Sequence, residues 1–307
     1  MKAVGKVVSL NTAIVLLVLL AAIWAWPGQV SADQNKIQVV VSIAPQKYFV
    51  QEIGGEFVDV AVLLPPGASP HGFEPKSSQM VELGQAQLYM AIGVGYEKTL
   101  LPRLQSMHPD LEIVHTDKGI KKMPMLEQAQ QEQGHEQEDQ QAGLDPHVWL
   151  APDLVLIQAQ NIYQALAEAM PEKKADLQEN LLDLQQEILQ LHQEILAALQ
   201  GISPGSKFMV LHPAWGYFAR TYGLVQVPIE VEGKEPKARH LRELIEQAKQ
   251  EGIRAVFVSP QFSESSARTI ADSISGEIVS IDPLGRNWKQ NMLKVADKLQ
   301  EAMQDKP

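Results

Sequence analysis

Short apolar runs rich in β-branched residues recur from Ile37 onward: Ile37 to Ile43, Val58 to Leu64, Leu88 to Ile92 and Glu112 to His115. Each is separated from the next by a segment long enough for a helix, the pattern of strands joined by helical crossovers. It returns in the second half at Lys207 to Leu211, Val225 to Ile229, Ala255 to Ser259 and Glu277 to Ile281. The fold class expected is therefore α/β, with two lobes, each a four-stranded, mainly parallel sheet with flanking helices. Between the halves, Leu177, Leu181, Leu184, Ile188, Leu191, Ile195 and Leu199 repeat every three or four residues. That spacing builds one amphipathic helix of about 30 residues, ended by Gly201 and Pro204. Its heptads could serve a coiled coil, but a single buried face laid on both lobes is the expected use. One stiff helix between two lobes allows only modest opening and closing.

The division expected is a signal peptide over 1–32, a first lobe over 33–171, the linking helix over 172–201 and a second lobe over 202–307. Lys2 and Lys6 precede an apolar run from Ala13 to Trp26, then Pro27-Gly28 and the small residues Ser31 and Ala32, the layout of a secretory leader. An uncleaved anchor is the alternative, and no later stretch reaches the roughly 18 apolar residues of a membrane span. The chain has no cysteine, so a thioether-linked lipid anchor at the cleavage site is not expected. A soluble, monomeric protein of a periplasm is. Residues 121–143 interrupt the regular pattern with a Gln- and Glu-rich stretch carrying a lone histidine, His135. Such a composition reads as a mobile, solvated loop.

Charge narrows the ligand. The formal net charge of -11 over 307 residues disfavours nucleic acid and suits a cation. His71 follows the second strand in the turn Pro65-Pro66-Gly67-Ala68-Ser69-Pro70-His71-Gly72. His147 lies in Asp145-Pro146-His147-Val148-Trp149, and His212 and Asp282 come directly after the strands ending at Leu211 and Ile281. Ligands of open α/β sheets bind beyond the carboxyl ends of the strands, so facing lobes would aim these four groups at one cleft. Three imidazoles and a carboxylate complete a four-coordinate site of nitrogen and oxygen donors, which suits zinc and leaves manganese open. His108, His115, His135, His192 and His240 lack this placement. Glu74 is a secondary candidate, to orient His71 or add an oxygen, and Glu230 and Glu232 are candidates to lend the cleft a negative potential.

The motifs Pro70-His71-Gly72-Phe73-Glu74-Pro75, Asp145-Pro146-His147-Val148-Trp149-Leu150, His212-Pro213-Ala214-Trp215-Gly216-Tyr217-Phe218, Val258-Ser259-Pro260-Gln261-Phe262 and Asp282-Pro283-Leu284-Gly285 resemble those of the zinc and manganese solute-binding proteins of ATP-driven importers. The resemblance covers essentially the whole chain after the leader. It implies two lobes joined by one backbone helix, His71, His147, His212 and Asp282 as ligands, and a membrane permease with its cytoplasmic ATPase as partners. In the manganese group the third position is usually glutamate, so His212 implies the zinc group. Two departures stand out: the loop before the second ligand holds only His135 where zinc receptors often have many histidines, and Ala151 replaces a common aspartate.

The expected mechanism is capture without chemistry: the ion sheds water for the four ligands, the lobes close slightly, and affinity falls as pH drops through about 6.5. A zinc hydrolase would need a coordination position left to water, which Asp282 would fill, and the sequence has neither an HExxH helix nor a Gly-x-Ser-x-Gly turn. An adhesive protein with a purely structural ion is the remaining alternative.

Overall fold

The computed structural model describes residues 36–125, 143–230 and 234–304. The expected signal peptide, most of the loop expected over 121–143, His135 and Glu232 lie outside the described residues.

The first lobe runs β1 (Ile37–Val41), α1 (Ala44–Gly54), β2 (Val58–Val62), α2 (Ser77–Leu83), β3 (Leu88–Ala91), α3 (Glu97–Met107) and β4 (Glu112–His115). After the loop come α4 (Pro152–Ala169) and the linking helix α5 (Lys174–Ala198). The second lobe runs β5 (Lys207–Val210), α6 (Gly216–Tyr222), β6 (Val225–Pro228), α7 (Ala238–Gln250), β7 (Ala255–Val258), α8 (Ser265–Ser273), β8 (Glu277–Ser280) and α9 (Trp288–Met303). The sheets are ordered β2-β1-β3-β4 and β6-β5-β7-β8, and every pairing is parallel. Burial follows that order. The inner strands β3 and β7 are buried at all four residues, whereas the edge strands β4 and β8 are exposed at both ends. An inner strand covered on both faces must be apolar throughout, which is why Leu88 to Ala91 and Ala255 to Val258 show no alternation.

α5 spans 25 residues after a 3₁₀ turn at Pro171–Lys173. Leu177, Leu181, Leu184, Ile188, Leu191 and Ile195 on one stripe are buried and join the main core. Burying each such side chain contributes about 1.5–3 kcal/mol. That core is continuous across both sheets, taking Val39 and Val41 from β1 and Phe208 and Val210 from β5. The alternate residues of the second sheet, Met209, Leu211, Val256 and Val258, face a separate cluster under α7 and α8, as the two-residue period of a strand requires. The last helix returns to the first lobe. Trp288 packs edge-on against Phe49 at 5.0 Å and donates its indole N–H to Trp149 O at 2.7 Å. Trp149 in turn donates to Pro283 O at 2.7 Å. No helix among the described residues is long and apolar enough to cross a membrane.

Candidate metal centre

Every strand of a parallel sheet ends at the same edge, and in each sheet the chain reverses its direction of growth between the first and third strands, where ligands bind. His212 follows β5 at that point of the second sheet. Continuing the ladder in which Val210 pairs with Pro228 by two residues sets His212 beside Glu230, and their side chains meet, Nδ1 to Oε2, at 3.0 Å. Phe262, four residues beyond the end of β7, stacks on a face of the same ring at 4.5 Å and 20°.

His147 is fixed by its own turn. Oδ1 of Asp145 accepts the backbone N–H of His147 at 2.9 Å and lies 2.7 Å from its Nδ1. Asp145 is anchored on both sides, its N–H donating to Met123 O at 2.8 Å and its carbonyl accepting the Tyr217 hydroxyl at 2.9 Å. Gly216 opens α6 with no side chain, and a Cβ there would lie 3.1 Å from Asp145 Oδ2. His71 stands at the rim. Its loop is pinned where Tyr96 N–H donates to Pro70 O at 3.3 Å, and Phe73 packs edge-on against Tyr96 at 5.1 Å.

The three imidazoles converge. One ligand atom from each of His71, His147 and His212 lies within 4.8 Å of the others, the sole such group among the described residues. Nε2 of His71 and Nε2 of His212 are 3.0 Å apart. Because Asp145 and Glu230 hold Nδ1–H of His147 and His212, the Nε2 lone pairs of those rings are the ones left for a ligand. His147 and His212 are buried, as are Asp145 and Glu230. Although His71 is exposed at the rim, its imidazole packs toward the other two rings, and the loss of water around it pushes it down to about 3, helped by the neighbouring charges of His212 and His147. It also lowers His212, against the opposing pull of Glu230. Neutral rings with free lone pairs are the form a cation binds.

Asp282 sits at the exit of β8 but outside this trio. Its Oδ1 accepts from Gln261 Nε2 at 2.8 Å and from Leu284 N–H at 2.9 Å. Gln261, Pro283 and Leu284 line the same cavity as the three histidines, together with Pro70, Trp149 and Phe262. That cavity is only about 10 Å³, room for one water-sized particle. Wider depressions, of about 470 Å³ along β4 and about 230 Å³ at the amino ends of β5 and β7, lie apart from the trio.

Of the secondary candidates, Glu74 is exposed and makes no hydrogen bond among the described residues, whereas Glu230 has a specific role at His212. The remaining described histidines stand elsewhere: His108 caps α3, His115 ends β4, His192 meets the Tyr222 hydroxyl at 3.2 Å and His240 lies 3.6 Å from Glu243. Ala151, buried, caps α4. The sequence reading left Asp145, Gln261 and Phe262 without roles. Parallel register extended past the strand ends is the signal that finds Glu230, and the Asp-x-His spacing is the one that finds Asp145.

The sequence profile of the family described as ZnuA, zinc-uptake complex component A, periplasmic, matches residues 39–302. The chain belongs to this ZnuA family. A crystal structure of ZnuA superposes with a TM-score of 0.80 at 38% identity, covering 88% of this chain and 100% of that one. The high-affinity zinc uptake system protein ZnuA of Bacillus subtilis (strain 168) is 27% identical over 283 residues, 91% of this chain and 84% of its own length. Zinc-binding protein AdcA of Streptococcus pyogenes serotype M3 is 26% identical over 289 residues, 88% of this chain. The chain spans only about half of that relative, 55% of its length.

Proposed function

We propose that this ZnuA-family chain is the extracytoplasmic receptor of a zinc importer. It takes one zinc ion between its lobes on His71, His147, His212 and Asp282 and delivers it to a membrane permease driven by a cytoplasmic ATPase. The observation that carries the reading is the convergence of three imidazoles within 4.8 Å, two with Nδ1 held by buried carboxylates. Zinc prefers such nitrogen donors, whereas an oxygen-rich set would favour manganese. The role is capture and not catalysis: with Asp282 as fourth ligand the ion keeps no position for a reactive water. The lobes of the receptor are 33–171 and 202–307, its linking helix is 172–201, and residues 1–32 direct export to the periplasm, where it acts as a monomer.

Competitive titration of chelator-stripped protein with zinc and manganese tests this, with bound metal counted at saturation. One tight zinc per chain is expected, with manganese weaker. Tighter manganese would move the chain to the other specificity, and no tight binding of either ion would sink the site.

A further inference from the structure

The three histidines are assembled, but Asp282 is held away from them. Ligands about 2.0–2.1 Å from a tetrahedral zinc lie about 3.3 Å from one another, and no oxygen of Asp282 comes within 4.8 Å of all three histidine ligand atoms. For Asp282 to close the coordination shell, its carboxylate must move toward the trio by more than about 1 Å. What holds it back is visible: Oδ1 accepts both the Gln261 side-chain N–H at 2.8 Å and the Leu284 backbone N–H at 2.9 Å. Oδ2 has no hydrogen-bond partner among the described residues and is the oxygen free to meet a cation, but a shift of the whole carboxylate by more than about 1 Å stretches the two bonds that fix Oδ1.

Of the two, Gln261 is built to let go. An ionised carboxylate only accepts, so the amide NH₂ faces Asp282 and Oε1 points the other way. That Oε1 is buried and has no hydrogen-bond partner among the described residues. Turning the amide away from Asp282 therefore breaks one hydrogen bond and no second one, and frees an acceptor that is unsatisfied where it stands. The residue also sits where capture can be felt. Gln261 lines the cavity, and its neighbour Phe262 stacks on the ring of His212 and lies 6.4 Å from His71.

We infer that Gln261 is a positioning residue that restrains Asp282 in the ion-free protein and thereby sets how readily a bound zinc ion is released. The inference rests on the reading that Asp282 joins the histidines around the ion. With the restraint on, the trio keeps an open side for the ion to enter and leave. With it off, Asp282 swings in and closes the shell. A receptor that must give its cargo up gains from such a competing partner, because each zinc-bound state is opposed by a ready alternative for the carboxylate.

The test is stopped-flow zinc dissociation into excess chelator, with thermal unfolding of the ion-free proteins as the check on folding, for Gln261→Leu, Asp282→Ala and the double variant. Leucine keeps the bulk and removes the donor. Gln261→Leu is expected to slow zinc release about 10-fold, the worth of the one hydrogen bond that no longer draws Asp282 back, with association unchanged and no loss of thermal stability. In the Asp282→Ala background the same substitution is expected to change nothing, since a residue acting through Asp282 has nothing left to act on. Release as fast as or faster than the parent in Gln261→Leu, or equal slowing with Asp282 absent, overturns the inference. If Asp282→Ala itself leaves zinc affinity and release unaltered, Asp282 is not a ligand, and the reading beneath the inference falls instead.

Discussion

His71 and His212 face each other across the lobes through their Nε2 atoms, 3.0 Å apart. With the proton of His212 on Nδ1 toward Glu230, its Nε2 only accepts, so the contact holds when His71 carries its own proton on Nε2. On the proposed reading, a zinc ion would replace that proton and take both lone pairs at once. His212→Ala removes one donor and the bridge together, so zinc affinity is expected to fall by more than the roughly hundredfold that loss of a ligand's hydrogen-bond partner costs. Competition against a chromogenic chelator measures it. An unchanged dissociation constant would remove His212 from the site.

The protons compete in a lower pH window than composition suggests. An isolated imidazole titrates near 6.5, but burial brings His71 down to about 3 and also lowers His212. In the folded protein these rings stay neutral as pH falls through 6.5, while in the unfolded chain they take up protons there. The ion-free protein is therefore expected to lose stability as pH drops below 6.5, where the unfolded state binds protons that these folded rings do not. By the same shift, zinc titrations are expected to show the acid limb of affinity below 6.5. A limb centred at 6.5 would show that protons reach these rings freely.

The sequence showed the strand exits but not what stands beside them. His71, His147 and His212 could be read as converging because parallel strands end at one edge, and the heptad-like stripe from Leu177 to Ile195 could be read as buried because helical spacing gathers it on one side. The partner of a ring depends on register between strands, which hydrophobic pattern leaves unspecified. Glu230 was recognisable as a charge near the cleft, yet its hold on His212 follows only once β5 and β6 are neighbours with Val210 opposite Pro228. Extending the β7 and β8 ladder from Val258 opposite Ser280 sets Asp282 beside Pro260, one residue from the Gln261 that bonds it. Glu74, three residues from His71, looked suited to orient that ring, but the turn leaves it facing water.

A buried acid below the His71 loop gives a second pH signature, of opposite sign. Glu97 accepts the Ser42 hydroxyl and the backbone N–H groups of Ile92 and Gly93, the latter at 2.6 Å. Gly93 reaches this position at φ +87, a conformation that favours glycine. Burial nevertheless pushes the carboxyl up to about 7 from 4.5, the hydrogen bonds offsetting part of the shift. Between those values the folded state keeps a proton that the unfolded chain has released, so stability falls as pH rises from 4.5 to 7 and is level above. The total change is roughly 3 kcal/mol. Glu97→Gln cannot ionise, and its amide N–H groups face backbone donors, so it is expected to be less stable than the parent by an amount that shrinks over that interval. Urea unfolding at pH 5 and pH 8 reads the two gaps, and equal gaps would refute the raised value.

The carboxylates behind the histidines separate binding from folding. Glu230 touches His212 by one side-chain contact at 3.0 Å, and it fixes that ring's tautomer and raises its basicity toward a cation. Glu230→Gln keeps an acceptor but loses the charge, so zinc affinity should fall about 10-fold, and Glu230→Ala should cost up to about 100-fold. Asp145 does more. Its Oδ1 holds the backbone N–H of His147 as well as the ring, so Asp145→Ala leaves a buried donor unpaired and should lower stability by about 1–3 kcal/mol besides weakening zinc. Asp145→Asn restores an acceptor for one of these groups and is expected to recover most of the stability but not the affinity. Zinc titration and urea unfolding of the four variants together read this pattern. If Asp145→Asn binds zinc as the parent does, the charge behind His147 is irrelevant to the ion, and Asp145 serves only to shape the turn.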